Sequence, residues 1–230
     1  MRRYAINSQY NMRDLGGYPT RGNGYLAWKQ VIRSDCPLTV TDEDALLFDK
    51  LNISDVIDLR TPEQAMREPS YFSDSESITY HNVSFINGNG SPKREESISS
   101  TYLKMMEEFS TINEILRIVS EARGTVLYHC AVGKDRTGIV TAIILSICGV
   151  NIVDIVADYQ ASETYIYDMI AEYKRSNPSV PEWIGRSKPE YMRNCLDSLE
   201  RKYGSFKEYL NAMDVPDRVI NGIKDKLIQQ

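Results

Sequence analysis

The chain has 230 residues, 27 basic and 32 acidic, and its formal net charge of −5 gives no chain-wide electrostatic footprint for DNA or RNA, so no nucleic-acid partner is expected. Hydrophobic residues make up 42% of the sequence and charged residues 26%, which excludes a wholly disordered chain. The four cysteines lie far apart, with no C-x-x-C pair, so the common zinc spacings and a disulfide scaffold are excluded as well.

The N-terminal part of the chain predicts short strands and one helix. Residues 25–33 have the apolar and β-branched pattern of a strand or hairpin. Thr41, with a capping-box partner at Asp44, predicts the start of a helix. Residues 54–59 and 78–85 predict two further strands.

The remainder of the chain predicts mostly helices. One more strand, at residues 125–128, runs into His129 and is followed by an apolar helix over residues 137–149. Other helical patterns cover residues 101–122, residues 151–175 and most of the C-terminal segment, with loops at residues 84–100 and 177–189 between them. Strands separated by helices predict an α/β fold, with a central, mainly parallel sheet flanked by helices on both faces.

Neither a membrane span nor a signal peptide is expected. The most apolar run, from Gly138 to Val150, is shorter than the ~20 residues that a helix needs to cross a bilayer. The N-terminus carries two arginines without an apolar core behind them. Together with the scattered cysteines, this pattern predicts a reducing compartment and a cytoplasmic location.

The segment from His129 to Gly138 reads HCAVGKDRTG and lies between a predicted strand and the apolar helix. Such a junction directs backbone N–H groups and the positive end of the helix dipole at one point, where an anion would bind. A thiol there has a lowered pKa, so Cys130 is predicted to be a thiolate nucleophile. Arg136 is predicted to return across the loop and hold two oxygens of a tetrahedral anion.

The other loop residues are predicted to bind the substrate anion: Ala131, Val132, Gly133, Lys134 and Thr137. Gly133 allows the turn that points N–H groups inward, and Thr137 is a candidate donor to the sulfur. Lys134 holds a second phosphate of an inositol lipid, or lowers the pKa of the Cys130 thiol further, or is an exposed loop lysine.

The loop, which we call the signature loop (residues 129–138), resembles the C-x5-R signature of the cysteine-dependent phosphatases, the protein-tyrosine phosphatase superfamily. Its Gly-Lys-Asp-Arg-Thr-Gly form is similar to a bacterial branch of tyrosine phosphatases that also act on phosphoinositides. Residues 11–18, 56–61 and 154–159 resemble that branch too. The resemblance implies one tyrosine-phosphatase-like domain over residues 1–230 and a phosphocysteine intermediate that water hydrolyses, with no metal and no other cofactor.

The resemblance also implies the partners. The substrate is a phosphotyrosyl protein or, as the alternative, a phosphoinositide, and inorganic phosphate or another oxyanion binds in the signature loop. A monomer is expected. Two interpretations of another class stay open, a catalytically silent module that captures phosphorylated ligands and a thiol-redox protein that uses the same cysteine.

The general acid stays open at this point, because the Trp-Pro-Asp loop of eukaryotic tyrosine phosphatases is absent from the sequence. The family suggests Asp135, inside the loop. Asp58, at the end of a predicted strand, is the alternative, and Asp35 is a weaker one. Asp58 and Arg60 can equally form a structural ion pair beneath the loop.

Further supporting residues are predicted around the loop. The family uses the position of His129 to orient the loop. Arg13 and Asp14 are predicted to form a buried pair that supports the site. Two segments, residues 86–98 and 177–190, are candidates for a lid over the site.

Overall fold

The computed structural model describes residues 2–4, 6–87 and 94–230. The strands in these ranges are β1 (Arg13–Asp14), β2 (Tyr25–Leu26), β3 (Val31–Ser34), β4 (Ile53–Asp58), β5 (Thr79–Asn82), β6 (Thr125–His129) and β7 (Ile228–Gln229). The helices are α1 (Asp42–Lys50), α2 (Pro62–Arg67), α3 (Ile98–Met106), α4 (Phe109–Glu121), α5 (Asp135–Ile147), α6 (Ile152–Tyr165), α7 (Tyr167–Ser176), α8 (Pro189–Tyr203), α9 (Phe206–Ala212) and α10 (Asp217–Leu227), with a 3₁₀ turn at Glu95–Ser97.

A five-stranded sheet, in the order β1-β3-β6-β4-β5, forms the centre of the structure. β3, β6, β4 and β5 are parallel, and β1 joins the edge antiparallel to β3. The registers align His129, which ends β6, with Ser34 of β3 and with Asp58 of β4. Because the carboxyl ends of these three strands meet at one edge, the segments that follow them surround a common site.

Side chains of β6 alternate between two apolar cores, one on each face of the sheet. Val126 and Tyr128 lie in the larger core, together with side chains of α3, α4, α5, α6, α8 and α10. Leu127 lies in the smaller core with Phe48 of α1. The predicted fold class is therefore confirmed, a mainly parallel sheet with helices on both faces.

The helix that follows β6 is buried nearly throughout. α5 has 13 residues, and its burial extends around the whole helix, as expected of a helix that is apolar on all sides. The rigid β6 and α5 therefore anchor both ends of the loop between them. In the described ranges of the chain, no helix is long and apolar enough to cross a membrane.

Several element boundaries differ from the sequence expectation. The helical pattern at residues 101–122 is two helices, α3 and α4, and the pattern at 151–175 is α6 and α7. Residues 25–33, expected as a strand or hairpin, form two strands that do not pair with each other, since β2 pairs with β7 while β3 joins the central sheet. Thr41 caps α1 as predicted, and its hydroxyl accepts from the Asp44 N–H. The Asp44 carboxylate accepts from the Asn7 N–H and the Ser8 hydroxyl, and does not complete a capping box with the Thr41 N–H.

The β2–β7 pair ties the N-terminal region to the C-terminus of the chain. The single domain over residues 1–230 stays a prediction that this pairing supports. A loop is expected at residues 84–100. Residues 84–87 have no helix or strand, and residues 88–93 lie outside the described ranges. The expected loop ends early, because α3 already begins at Ile98.

Candidate active site

The signature loop connects the end of β6 to the start of α5, which begins at Asp135. Gly133 lies in this loop with a φ of +67°. A Cβ atom at this position would come within 2.5 Å of the Ser34 carbonyl oxygen. Both the backbone conformation and the close approach of β3 therefore require glycine here.

Polar side chains hold the carbonyl groups of the loop from its outer side. The Asn11 side-chain amide donates to the Val132 and Gly133 carbonyls at 3.0 and 2.9 Å. Arg33 Nη2 donates to the Gly133 carbonyl at 2.6 Å. In a trans peptide the N–H points opposite to the carbonyl, so these contacts turn the N–H groups of Gly133 and Lys134 toward the inside of the loop.

The first peptides of the loop are held in the same way. The Cys36 N–H donates to the Ala131 carbonyl at 3.2 Å. His129 Nδ1 lies 3.3 Å from the Cys130 carbonyl oxygen. Because a carbonyl only accepts, this contact places the imidazole proton on Nδ1. Burial outweighs the attraction of Asp58 and lowers the pKa of His129 to about 4, so the ring is neutral at physiological pH.

A buried ionic cluster lies behind these contacts. Asp158 of α6 accepts from Arg13 Nε at 2.9 Å and from Arg33 Nη1 at 2.5 Å. Arg13 Nη1 also donates to the Asn11 side-chain oxygen. Burial favours the neutral carboxyl of Asp158, but the two guanidinium groups outweigh it and hold its pKa far below the usual range. The cluster thus fixes both donors, Asn11 and Arg33, that hold the loop carbonyls.

The expected pair between Arg13 and Asp14 does not form. The Asp14 carboxylate instead accepts from the Tyr4 hydroxyl, the Gly16 N–H and the Lys29 N–H. The reason is that adjacent residues of a strand point to opposite faces of the sheet. Arg13 supports the loop through Asp158, whereas Asp14 fixes the turn between β1 and β3.

The signature loop forms the floor of a cavity of about 450 Å³. Side chains of α2, α3, α7 and the segment after α7 complete its walls. The lining residues are Gln64, Ile98, Thr101, Tyr102, Met105, Cys130, Ala131, Val132, Lys134, Asp135, Arg136, Met169, Ile170, Tyr173, Trp183, Ile184 and Gly185. Both lid candidates contribute to this wall, the segment 177–190 through Trp183, Ile184 and Gly185 and the segment 86–98 through Ile98 at its end. Residues 88–93 of the second candidate lie outside the described ranges.

Cys130 lies at the floor of the cavity, directly after β6, and is a free thiol. The other cysteines are free and buried as well, but they lie outside the cavity lining. Burial raises the pKa of Cys36, Cys148 and Cys195 to about 12, which leaves these three thiols inert.

Arg136 also lines the cavity, and within the described residues Nη1 is the one nitrogen of its guanidinium that donates to protein. Nη1 donates to the Leu59 carbonyl at 3.2 Å and to the Gln64 Oε1 at 3.0 Å. Among the described residues, Nε and Nη2 have no hydrogen-bond acceptor in the protein. These two nitrogens form the edge of the guanidinium that can bind two oxygens of a tetrahedral anion.

Lys134 and Asp135 form an ion pair at the rim of this floor. Lys134 Nζ is nearly buried and donates to Asp135 Oδ1 at 2.8 Å and to the Arg186 carbonyl at 3.0 Å. The interpretation of Lys134 as an exposed loop lysine is therefore wrong. Asp135 Oδ1 also accepts from the Tyr102 hydroxyl of α3.

Burial opposes ionisation of Asp135, but Lys134, Tyr102 and Arg136 outweigh it and lower the pKa of this carboxyl. Burial lowers the pKa of Lys134, but the attraction and hydrogen bond of Asp135, together with Tyr159 and Cys130, outweigh burial and raise it. Both members of the pair are thus charged at neutral pH.

A model of the tyrosine phosphatase family matches residues 4–229 of this sequence. The chain belongs to the tyrosine phosphatase family. It is 26% identical over 219 residues to a tyrosine-protein phosphatase of Nostoc commune, an alignment that covers 84% of this chain and 71% of that protein. It is 25% identical over 134 residues to the triple specificity protein phosphatase PtpB of Mycobacterium tuberculosis, which covers 51% of this chain and 48% of PtpB.

Two solved structures of TpbA from P. aeruginosa were also matched. One aligns with 83% of this chain and 90% of TpbA at 14% identity and a TM-score of 0.46. The other, in complex with pTyr, aligns with 60% of this chain and 72% of TpbA at 16% identity and a TM-score of 0.40.

In this tyrosine phosphatase the second candidate for the general acid lies outside the cavity lining. Asp58 is fully buried and accepts from Arg60 Nε and Nη2 and from the Tyr80 hydroxyl. Burial raises its pKa, but His129, Arg60 and Tyr80 outweigh it, so the pKa of Asp58 is lowered. Asp58 and Arg60 thus form the ion pair beneath the loop that was one of the two interpretations of these residues.

The third candidate, Asp35, is also turned away from the cavity. Its carboxylate is buried and accepts from the N–H groups of Tyr10 and Asn11 at 3.0 and 2.9 Å. Asp35 therefore fixes the backbone just before β1. Of the three carboxylates, the cavity is lined by Asp135 alone.

Thr137 is fully buried at the start of α5. Its hydroxyl has no hydrogen-bond partner among the described residues of this phosphatase. An unpaired buried hydroxyl is uncommon, and this one is free to donate to the Cys130 sulfur as predicted. That contact stays a prediction.

Sequence reasoning missed the tertiary contacts of the loop, which come from residues far away along the chain: Asn11, Arg33, Gln64, Tyr102, Asp158 and Tyr159. One local signal was available for Gln64, since the sequence Thr61-Pro62-Glu63-Gln64 is a capping box with proline at the first helical position. Its Oε1 accepts from the Thr61 N–H and from Arg136 together. The cap of α2 therefore also orients the arginine of this phosphatase.

Proposed function

We propose that this chain hydrolyses phosphotyrosine in proteins through a phosphocysteine intermediate on Cys130, without a metal ion. One observation carries the proposal. A free thiol, an open guanidinium edge of Arg136 and inward-pointing N–H groups converge on the floor of one cavity. Membership of the tyrosine phosphatase family supports the same conclusion.

In the first step the Cys130 thiolate attacks phosphorus. An S–P bond forms, and the bond between phosphorus and the tyrosyl oxygen breaks. Arg136 and the backbone N–H groups bind the equatorial oxygens, whose negative charge they stabilise in the transition state. Asp135 donates its proton to the departing oxygen, so that a neutral phenol leaves.

Asp135 must be protonated for this step, although Lys134, Tyr102 and Arg136 lower its pKa. A phosphate dianion that binds beside it adds negative charge, and a nearby like charge raises the pKa of a carboxyl. Substrate binding thus shifts Asp135 toward the protonated form that the reaction needs.

In the second step a water oxygen attacks the phosphocysteine. The Asp135 carboxylate, left ionised by the first step, accepts a proton from this water. The S–P bond breaks, inorganic phosphate forms and the Cys130 thiolate is regenerated. The sequence consumes one water and needs neither a metal nor a redox partner.

The walls of the cavity favour an aromatic leaving group. Ile98, Met105, Ile170 and Trp183 present apolar surface above the loop. A phenyl ring fits such a wall, whereas the short polar side chain of phosphoserine would leave it uncovered.

The phosphoinositide alternative, and with it broad specificity, stays a prediction. It depended on Lys134 as a ligand for a second phosphate. Because Lys134 Nζ already binds Asp135 and the Arg186 carbonyl, it has at most one further donor to offer. This geometry supports a role beside Asp135 more directly than one in headgroup binding. The expected monomer and cytoplasmic location also stay predictions.

The test is release of phosphate from a phosphotyrosyl peptide, a matched phosphoseryl peptide and micellar phosphoinositides, all in the presence of EDTA. We expect the phosphotyrosyl peptide to react fastest. Rapid quenching with a ³²P-labelled peptide should trap a covalent adduct on the protein. A rate that is highest on the lipids would favour the alternative.

The control for the nucleophile is a matched cysteine variant. Cys130→Ser should abolish both turnover and the adduct, while Cys148→Ser, a buried thiol at the far end of α5, should leave both intact. Full activity of Cys130→Ser would overturn the proposal. Binding of the peptide by the unmodified protein without any turnover would identify a silent binding module instead.

A further inference from the structure

Asp135 is held through one of its two oxygens. Oδ1 accepts from Lys134 Nζ at 2.8 Å and from the Tyr102 hydroxyl. Within the part of the chain that the structure describes, Oδ2 has no hydrogen-bond donor, and the side chain, 41% exposed, lines the cavity. The two oxygens of this carboxyl are therefore not equivalent.

The contact with Tyr102 is itself held by a second tyrosine. The hydroxyls of Tyr102 on α3 and Tyr159 on α6 lie 2.7 Å apart, and their rings pack edge-to-face with centroids 5.8 Å apart. Both side chains are almost completely buried. Gly138 makes room for this tyrosine pair (Tyr102 and Tyr159), since a Cβ there would come within 3.1 Å of the Tyr159 ring.

The direction of these hydrogen bonds follows from the donors and acceptors. An ionised carboxylate only accepts, so the Tyr102 hydroxyl must donate its one proton to Asp135. The Tyr102 oxygen can then only accept from Tyr159, whose hydroxyl is the donor. Hydrogen bonds aligned in this way polarise and strengthen one another.

The tyrosine pair keeps its protons over the whole working pH range. Burial and the neighbouring Asp135 raise the pKa of Tyr102, and burial raises the pKa of Tyr159 to about 12. Among the described residues, the charged or titratable groups around Asp135 are Lys134 and Arg136 of its own loop and helix, Tyr102 from α3, Tyr159 from α6 and Cys130 at the cavity floor.

We propose that Tyr102, supported by Tyr159, is a positioning residue for Asp135. Its hydrogen bond keeps Asp135 Oδ1 an acceptor. The proton for the leaving oxygen is therefore carried on Oδ2, which is free to face the cavity. The inference rests on the proposed function. Oδ2–H gives its proton to the tyrosyl oxygen as the P–O bond breaks. The resulting carboxylate keeps its bonds to Tyr102 and Lys134, and Oδ2 accepts the proton of the attacking water in the second step.

The test compares Tyr102→Phe with the unmodified protein over a range of pH, on an aryl phosphate with a good leaving group and on phosphotyrosine. Loss of a donor to the ionised form raises the pKa of a carboxyl, so the basic limb of the kcat profile should move up by about 1 pH unit. At low pH, kcat on phosphotyrosine should fall about tenfold or more, with little change in KM or in the rate on the better leaving group.

Three variants separate positioning from a structural effect. Tyr159→Phe should move the pH profile of kcat in the same direction as Tyr102→Phe, but by a smaller amount. Tyr102→Phe should add nothing in an Asp135→Asn background, as expected for residues that act as a unit. Tyr128→Phe also removes a buried hydroxyl, which bonds Thr141 at 2.6 Å, and should leave the profile in place.

An unshifted profile in Tyr102→Phe, or an equal loss of rate on both leaving groups, would overturn the inference. A readout without turnover distinguishes this failure from that of the proposed function. ¹³C NMR of labelled aspartate carboxyls, with the Asp135 signal assigned by its absence in Asp135→Asn, should give a higher Asp135 pKa in Tyr102→Phe. An inactive wild type would overturn the proposed function, while an unchanged Asp135 pKa would overturn the role of Tyr102.

Discussion

Arg13 binds Asp158, 145 positions further along the chain, and not its neighbour Asp14. The same carboxylate also binds Arg33, so one acid compensates two buried guanidinium groups. Through Arg33 and Asn11 this cluster reaches the carbonyl groups of the signature loop. The N-terminal segment and α6 therefore act together on the geometry of the site, without contributing to the lining of the cavity.

Asp158→Asn should destabilise the protein strongly. The substitution leaves two buried guanidinium groups without a counter-charge, and breaking a buried pair in this way typically costs about 3–5 kcal/mol. Urea denaturation at pH 7 measures the free energy of unfolding. Glu121→Gln, which breaks the exposed Arg117–Glu121 pair of α4, is the control and should change it by less than about 0.5 kcal/mol. Equal effects of the two variants would contradict the central role of Asp158.

Asn11→Asp should reduce catalysis through the loop. The carboxylate keeps the size of the side chain and its contact with Arg13, but it cannot donate to the Val132 and Gly133 carbonyls. Released carbonyls no longer direct the N–H groups inward, so kcat/KM should fall by about 10²-fold, the scale found when an oxyanion donor is removed. Steady-state kinetics and the inhibition constant of inorganic phosphate measure the effect.

Asn113→Asp is the matched control for this substitution. Asn113 also donates its side-chain amide to a carbonyl, that of Met213, but it lies on α4 outside the site. It should lower stability without changing phosphate affinity. The same kinetic loss in both variants would mean that Asn11 acts only through stability.

The chemical centre could be predicted from the sequence because it is local. Cys130 and Arg136 share one loop, and the flanking strand and helix fix its geometry whatever packs around it. The parallel sheet could be predicted for a similar reason, since apolar runs of the right length specify β4, β6 and α5 individually.

The surroundings of the loop could not be predicted, because tertiary packing decides them. Asp158 lies in a segment that resembled the family, yet nothing local identifies Arg13 as its partner. Tyr102 occupies an ordinary core position in a helical pattern, and only the approach of α3 to the loop brings its hydroxyl to Asp135. Pairings across long sequence separations depend on the folded arrangement of the whole sheet and its helices.

Gly133→Ala should impair both folding and activity. The residue has a φ of +67°, and an added Cβ would lie 2.5 Å from the Ser34 carbonyl oxygen. The strain should cost about 2 kcal/mol or more of stability and displace the inward N–H groups. Gly22→Ala is the control, since nothing lies within 4 Å of its added Cβ. Thermal melts and kcat/KM should separate the two variants, and similar values for both would contradict the requirement for glycine at position 133.

The pH dependence of stability should reflect His129. Burial lowers its pKa to about 4 in the folded protein, against about 6.5 in the unfolded chain. Between these values the unfolded state binds more protons, so the contribution of His129 is complete above pH 6.5 and is lost as the pH falls toward 4. Between pH 7.5 and 5.0 this loss amounts to about 2 kcal/mol.

Urea denaturation at these two pH values compares the unmodified protein with His129→Gln, which should lose about 2 kcal/mol less on acidification. His81→Gln removes the other histidine, which is hydrogen-bonded to Asp55, and should retain the His129 contribution. Because the sequence contains two histidines, NMR titration of their ring protons measures the His129 pKa directly. A value near 6.5, or an equal loss of stability in His129→Gln, would show that the imidazole is not held neutral behind Cys130.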